Sequence, residues 1–65
     1  MQSTDYKAIC KNLKQFRQGG KLSQRQVATA IGVDRSTYAY YELGRTMPGF
    51  DKMDKIIKLY NISLE

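Results

Sequence analysis

The chain has 65 residues, among them 11 lysines and arginines, 6 acidic residues and no histidine, which gives a formal net charge of +5. A chain of about 60 residues buries only ~60% of the surface that its unfolded form exposes, so its core is small and a large catalytic pocket is excluded. The basic balance favours a polyanionic partner, either nucleic acid or an anionic membrane surface.

The first predicted helix runs from near the N-terminus to the glycine pair Gly19-Gly20. Its apolar residues recur at the spacing of an amphipathic helix, with lysine and glutamine between them. Ser3, Thr4 or Asp5 is expected to cap its start. The residues expected to form its apolar face are Tyr6, Ile9, Cys10, Leu13 and Phe16.

The second predicted helix begins immediately after Ser23, because two N-terminal signals surround that residue. Ser23 and, three positions later, Gln26 form a capping box, in which each side chain bonds the backbone N–H of the other residue. Leu22 and Val27 occupy the two positions of a hydrophobic staple. Gly32 supplies the left-handed conformation that commonly ends a helix.

The third predicted helix follows after only about three residues. Asp34 is its expected N-cap, and Val33 is expected to pack against Tyr38 as a second hydrophobic staple. The helix runs through Tyr41 to Gly44, a second C-terminal glycine. We assign Tyr38 and Tyr41 to the core, against the alternative that they stack on nucleic-acid bases.

A loop and a fourth predicted helix complete the chain. Pro48 disfavours a helical conformation at Met47, so the stretch RTMPG is predicted to be a loop. The fourth helix is expected to end near Asn61, and its apolar residues are Met53, Ile56, Ile57 and Tyr60. No strand-like alternation is long enough to compete with this pattern. The sequence therefore predicts the all-α class, as a compact domain of four to five helices.

The segment 24–43 contains the feature that points to a function, namely two capped helices joined by a short turn that contains glycine. Such a connection makes the helices cross steeply and leaves the second one, at about 35–43, projecting from the surface. The major groove of DNA is about 12 Å wide and admits a helix with its side chains. The pattern thus predicts a helix-turn-helix whose second helix reads double-stranded DNA.

The segment LSQRQVATAIGVDRSTYAYYELGRTMP resembles the lambda repressor/Cro class of helix-turn-helix DNA-binding domains, also called the XRE family. The matching positions are Leu13, Phe16 and Arg17, Ser23-Gln24, Val27-Ala28, Gly32, Tyr41-Glu42, Gly44-Arg45, Pro48, Met53, Ile56 and the run Tyr60-Asn61-Ile62-Ser63. They cover most of the chain. The resemblance implies one DNA-binding domain over residues 1–65 and the function of a sequence-specific transcriptional regulator, with repression as the expected activity.

The resemblance places base contacts at the front and along the outward face of the third helix. Arg35 can bond guanine bidentately, Ser36 can bond donor or acceptor edges, and Tyr40 offers a hydroxyl and an apolar face. Thr37 and Ala39 are weaker candidates. The alternative for Arg35 is a contact with phosphate alone.

Phosphate contacts and one ion pair also follow from the resemblance. The side chain of Gln24 and the first amides of its helix are expected to hold a phosphate, as helix N-termini do with anions. The expected phosphate-binding residues are Ser23, Gln24, Arg25, Arg45 and Thr46. Arg17 and Glu42 match positions that form a structural ion pair; the alternative is two independent surface charges.

Two features depart from the family pattern. Tyr38 stands where such domains usually carry a smaller aliphatic residue, which affects core packing. Family members generally have a fifth helix, often used in dimerisation, beyond the point where this chain ends at Glu65, so we expect a truncated C-terminus. A homodimer is expected to bind an approximately palindromic operator with half-sites ~34 Å apart.

Other classes of function fit the sequence less well. One alternative is a protein-interaction module on the same fold, or an antitoxin-type regulator that acts with a protein partner. A membrane-surface peptide requires one long helix, which the glycines and Pro48 interrupt. An enzyme is not expected, because the chain lacks histidine and its one cysteine, Cys10, lies on the predicted apolar face.

The sequence implies no cofactor, metal or small-molecule ligand. A single cysteine cannot form an internal disulfide, which favours a reducing compartment. No apolar run has the length of a signal peptide or a membrane span. We expect a cytoplasmic protein associated with the nucleoid, with double-stranded DNA as its partner.

Overall fold

The computed structural model describes residues 6–62, and over that range it contains five α-helices and no strand. The helices are α1 Tyr6–Lys11, α2 Leu13–Gly19, α3 Gln24–Ile31, α4 Arg35–Leu43 and α5 Phe50–Tyr60. The predicted all-α class and the helix-turn-helix, formed by α3 and α4, are confirmed. None of these helices combines the length and the apolar character needed to cross a membrane. The expected caps Ser3, Thr4 and Asp5 lie outside the described residues.

The prediction of one continuous first helix is wrong, because Asn12 separates α1 from α2. Its backbone angles are φ −106° and ψ 10°. Its side-chain Nδ2 donates to the carbonyl oxygen of Ala8, four residues earlier, at 3.1 Å. The Asn12 side chain shares this carbonyl with its own backbone N–H, which donates to Ala8 O at 3.2 Å and to Ile9 O at 3.1 Å. The helical spacing of apolar residues continues through Asn12, so the sequence pattern gave no sign of the interruption.

The N-terminal signals of α3 and α4 form as predicted. The backbone N–H of Gln26 donates to Ser23 Oγ at 3.0 Å, and the N–H of Ser23 donates to Gln26 Oε1 at 2.8 Å. Asp34 accepts from the backbone N–H of Thr37 at 3.1 Å. Each cap satisfies an N–H group that has no partner inside its helix.

Two glycines end these helices in the left-handed region that favours glycine. Gly32 has φ +83° and Gly44 has φ +76°. Gly32 is the first of the three residues that separate Ile31 from Arg35. The turn is short because glycine, which has no Cβ, adopts the left-handed conformation without strain and ends the helix within one residue.

The core lies between the helices and is mainly aliphatic. Tyr38 is fully buried, and its ring meets that of Tyr41 edge to face at 6.3 Å, which confirms the assignment of both tyrosines to the core. Phe16 stacks on Tyr60 at 5.5 Å and joins α2 to α5. Cys10 is half-buried against this core. The buried hydrophobic residues that form this core are Ile9, Leu13, Val27, Ala28, Ile31, Tyr38, Tyr41, Met53 and Ile56.

Replacing Gly32 with alanine should lower the free energy of unfolding by about 1–2 kcal/mol, because an L-residue is strained at positive φ. A Cβ at this position meets only the ammonium groups of Lys52 and Lys55, at 3.5 and 3.8 Å, so steric overlap adds little. Urea denaturation measures the effect. Gly19→Ala is the matched control, since Gly19 is helical and its Cβ meets no atom within 4 Å. Equal stabilities of the two variants would contradict the prediction.

Candidate nucleic-acid interface

The N-terminus of α3 presents backbone N–H groups that are not all used inside the helix. Its first turn contains no acidic residue. The aligned peptide dipoles leave partial positive charge at this end, and Gln24 and Arg25 are the first two residues of the helix. The capping box occupies the Gln26 N–H. The arrangement suits a bound anion such as a phosphate oxygen.

The outward face of α4 consists of residues that recur every three or four positions. Arg35 and Ser36 are exposed at its start, and the exposed fractions of Tyr40 and Leu43 are 45% and 66%. Thr37 is half-buried, so the expected base contacts do not all lie equally far outward. The face combines a cation, hydroxyl groups and apolar surface, which are the groups that read base edges.

The hydroxyl of Ser36 is positioned by the residue that caps the same helix. Ser36 Oγ donates to Asp34 Oδ2 at 3.4 Å, while Oδ1 accepts from the Thr37 N–H. The hydrogen bonds from Thr37 lower the pKa of Asp34 below its usual value. The cap is therefore a carboxylate at neutral pH, and the oxygen of Ser36 remains free to accept.

Arg45 and Thr46 follow α4 directly and are exposed. The Arg45 guanidinium lies 5.9 Å from the centre of the Tyr40 ring, within the range of a cation–π interaction. Among the described residues, no carboxylate pairs with Arg25, Arg35 or Arg45. Their charges are thus available to an external anion.

A partly buried ion pair lies behind this surface. Arg17 Nε donates to Glu42 Oε2 at 2.6 Å and Nη2 to Oε1 at 3.3 Å, and the exposed fractions of the two side chains are 13% and 5%. Arg17 Nη1 donates to the carbonyl oxygen of Leu22 at 3.0 Å. The pair joins α2 to the end of α4 and fixes the entry to α3. These charges are not independent surface groups.

The ion pair continues into side chains at the starts of α3 and α4. Gln24 Nε2 donates to Glu42 Oε1 at 3.1 Å, and Arg35 Nη1 donates to Gln24 Oε1 at 3.2 Å. Arg17, Glu42, Gln24 and Arg35 therefore form one hydrogen-bonded chain. Sequence reasoning named all four residues but missed the links through Gln24, which join positions 11 and 18 residues apart. Leu43 was also missed, although its four-residue spacing from Ala39 and Arg35 indicates the same face.

The described residues contain no cluster of three His, Cys, Asp or Glu side chains able to hold a metal ion.

The chain is similar in sequence to known helix-turn-helix proteins. A family profile described as helix-turn-helix matches residues 13–65. The uncharacterized HTH-type transcriptional regulator YobD of Bacillus subtilis is 36% identical over 56 residues, which are 86% of this chain and 50% of that protein. The HTH-type regulator YqaE of the same organism is 35% identical over 54 residues, which cover 83% and 47%.

A third relative comes from a different source. The cryptic phage CTXphi transcriptional repressor RstR of Vibrio cholerae is 33% identical over 52 residues, 80% of this chain and 47% of that protein. The chain spans about half the length of the curated relatives it matches. No solved structure shows significant similarity to it.

The Arg17–Glu42 pair should make the free energy of unfolding depend on pH in the acid range. Burial alone raises the pKa of Glu42, but hydrogen bonds from Arg17, Tyr38 and Gln24 outweigh it and lower the pKa below its usual value. A group with a depressed folded pKa stabilises the fold above its unfolded pKa of about 4.3, and this stabilisation is lost as the pH falls through the folded pKa. We expect Glu42→Gln to cost about 1–3 kcal/mol at pH 7 and less at pH 3.

Urea denaturation at intervals between pH 3 and pH 7 measures this dependence. Asp54→Asn is the matched control, because its carboxylate lies in an exposed pair with Lys58 at 3.1 Å, and such a pair contributes only about 0–1 kcal/mol to stability. Parallel stability curves for the wild type and Glu42→Gln would show that Glu42 does not carry the acid dependence.

Proposed function

We propose that this chain, which belongs to the XRE-type helix-turn-helix family of DNA-binding transcriptional regulators, recognises a specific sequence in duplex DNA and acts as a repressor. The observation that carries the specific part is the exposed face of α4, flanked by arginines that have no carboxylate partner within residues 6–62. Repression is supported by one relative that is named a transcriptional repressor. We place its action in the cytoplasm, on the nucleoid.

The recognition step assigns the start of α4 to the major groove. Arg35 directs donors to a guanine edge, and Ser36 and Tyr40 bond or pack against neighbouring bases. Thr37, half-buried, reaches only the nearest base or backbone atom. Specificity then comes from this helix, because contacts to phosphate carry no direct sequence information.

In the same proposal, DNA phosphates bind on both sides of α4. Ser23, Gln24 and Arg25 hold one phosphate at the start of α3, and Arg45 and Thr46 hold another beyond Gly44. The second amide hydrogen of Gln24 serves this contact, since the Glu42 bond uses only one. These contacts fix the position of α4 in the groove and supply most of the salt-dependent affinity.

Two copies are proposed to bind one operator. Met47 and Phe50, in and after the loop that follows α4, have exposed fractions of 57% and 80%. Apolar surface of this kind is stabilised when a second copy covers it. Two recognition helices about 34 Å apart then read an approximately palindromic site.

Arg35 and Arg45 should respond differently to replacement by alanine. Arg35→Ala should weaken the preferred site about 5- to 150-fold, the value of one bidentate base contact, and relax the preference at one base pair. Arg45→Ala should weaken all sequences about equally and reduce the slope of log affinity against log salt by about 1. Fluorescence anisotropy with a preferred and a scrambled duplex separates the two effects.

Lys58→Ala is the control, because it removes one positive charge from α5, which makes no proposed contact with DNA. Equal losses for Arg35→Ala on the preferred and scrambled duplexes would mean that Arg35 touches phosphate alone.

Selection of bound duplexes from a random pool at about 150 mM salt tests the function itself, since nonspecific phosphate attraction is already reduced there. A palindromic enriched motif is expected. Sedimentation of the complex should give two protomers per site. A single protomer on the enriched site would remove the dimer from the proposal, and absence of enrichment would favour a protein partner for this fold.

A further inference from the structure

We propose that Glu42 is a positioning residue for DNA recognition, which orients the Gln24 amide and through it holds Arg35 in place for base reading. The inference rests on the proposed function and adds a specificity-determining residue that lies behind the DNA-facing surface. It uses the hydrogen-bonded chain Glu42–Gln24–Arg35.

The first step concerns what Glu42 can accept and donate. Its side chain is 5% exposed and held by Arg17, so it has one defined position. An ionised carboxylate only accepts hydrogen bonds. The depressed pKa of Glu42 keeps it ionised at neutral pH. Any amide next to its Oε1 must therefore present the N–H₂ end.

The second step follows from the shape of the amide. Gln24 carries its donor and acceptor on opposite sides of one planar group. Because Nε2 faces Glu42 at 3.1 Å, Oε1 faces the other way, where it accepts from Arg35 Nη1 at 3.2 Å. With the opposite amide orientation, the N–H₂ group would face the guanidinium, and two donors would oppose each other. The buried carboxylate thus determines that the surface amide attracts Arg35.

The third step concerns what remains of Arg35. The guanidinium has five N–H donors, and the Gln24 bond uses one. The remaining donors lie on a rigid planar group and can pair with a guanine edge or a phosphate. A side chain held before binding loses less rotamer freedom on contact. Loss of the hydrogen bond between Arg35 and Gln24 should therefore reduce discrimination at the base pair that Arg35 reads. Nonspecific attraction should stay unchanged.

The DNA test compares Glu42→Gln with the wild type on the selected site and on every single base-pair variant of it. A glutamine at position 42 accepts or donates, so it no longer fixes the Gln24 amide. We expect discrimination to fall about 5-fold or more at one base pair, the pair that Arg35→Ala also affects. The salt slope should not change. In the Arg35→Ala background, Glu42→Gln should have no further effect at that pair.

A second variant keeps the test independent of folding. Gln24→Met removes both hydrogen bonds and leaves the Arg17–Glu42 pair in place, with Gln15→Met, on exposed α2 surface, as its control. Gln24→Met should lose discrimination at the same base pair, in addition to a uniform loss from its phosphate contact. Loss spread evenly over all base pairs in both variants, or additive effects with Arg35→Ala, would overturn the proposal.

A measurement without DNA separates this inference from the proposed function. The ¹⁵N order parameter of the Arg35 side chain reports its ps–ns mobility in the free protein. It should be higher in the wild type and Gln15→Met than in Glu42→Gln and Gln24→Met. Equal values in all four proteins would overturn the positioning role even if specific DNA binding is found. The expected difference without any enriched DNA sequence would show that Glu42 orders Arg35, but it would overturn the proposed function and with it the role in DNA recognition.

Discussion

The partly buried ion pair between Arg17 and Glu42 is the interaction on which the rest of this small structure depends. A domain of this length has a free energy of unfolding of about 3–10 kcal/mol. Removing one partner of a charged hydrogen-bonded pair costs about 1–3 kcal/mol, which is a substantial part of that free energy. Its desolvation is tolerated because its groups are satisfied: Arg17 also bonds the Leu22 carbonyl, and Glu42 also accepts from Gln24. The second consequence is geometric. Since Arg17 lies on α2, Leu22 precedes α3 and Glu42 ends α4, one cluster fixes three elements relative to one another.

The fold could be predicted from the sequence where its determinants are local. Ser23 with Gln26, Asp34, Gly32 and Gly44 act within a few residues of chain, and each forms the cap or the helix end that its type favours. Asn12 shows the limit of this reasoning. Its side chain can point to solvent or bond the Ala8 carbonyl, and the structure shows the bond. The spacing of apolar residues does not indicate which of the two occurs.

The site could be predicted only as a set of residues. The outward position of Arg35 follows from helical periodicity, and the Arg17–Glu42 pair was implied by family resemblance. The bonds of Gln24 to Glu42 and Arg35 depend on how α3 crosses α4, which is a tertiary property. The half-buried position of Thr37 is tertiary as well, since it depends on which side of α4 faces the core. Sequence reasoning could therefore name the candidate contacts, but it could not tell which of them support one another.

The arginines differ in the contacts that hold their side chains. This difference bears on which of them would contribute to affinity and which to specificity. Arg25 and Arg45 are exposed and have no carboxylate partner among the described residues, and Arg45 is restrained only by the Tyr40 ring. Exposed cations of this kind suit phosphates, whose charge is the same at every sequence. Arg35 is equally exposed, yet its guanidinium is bonded to a side chain that is itself fixed from the core. A base edge rewards a fixed donor geometry and a phosphate does not. The structure thus orders the one arginine at the start of α4, where, under the proposed function, a defined direction would matter for reading a base.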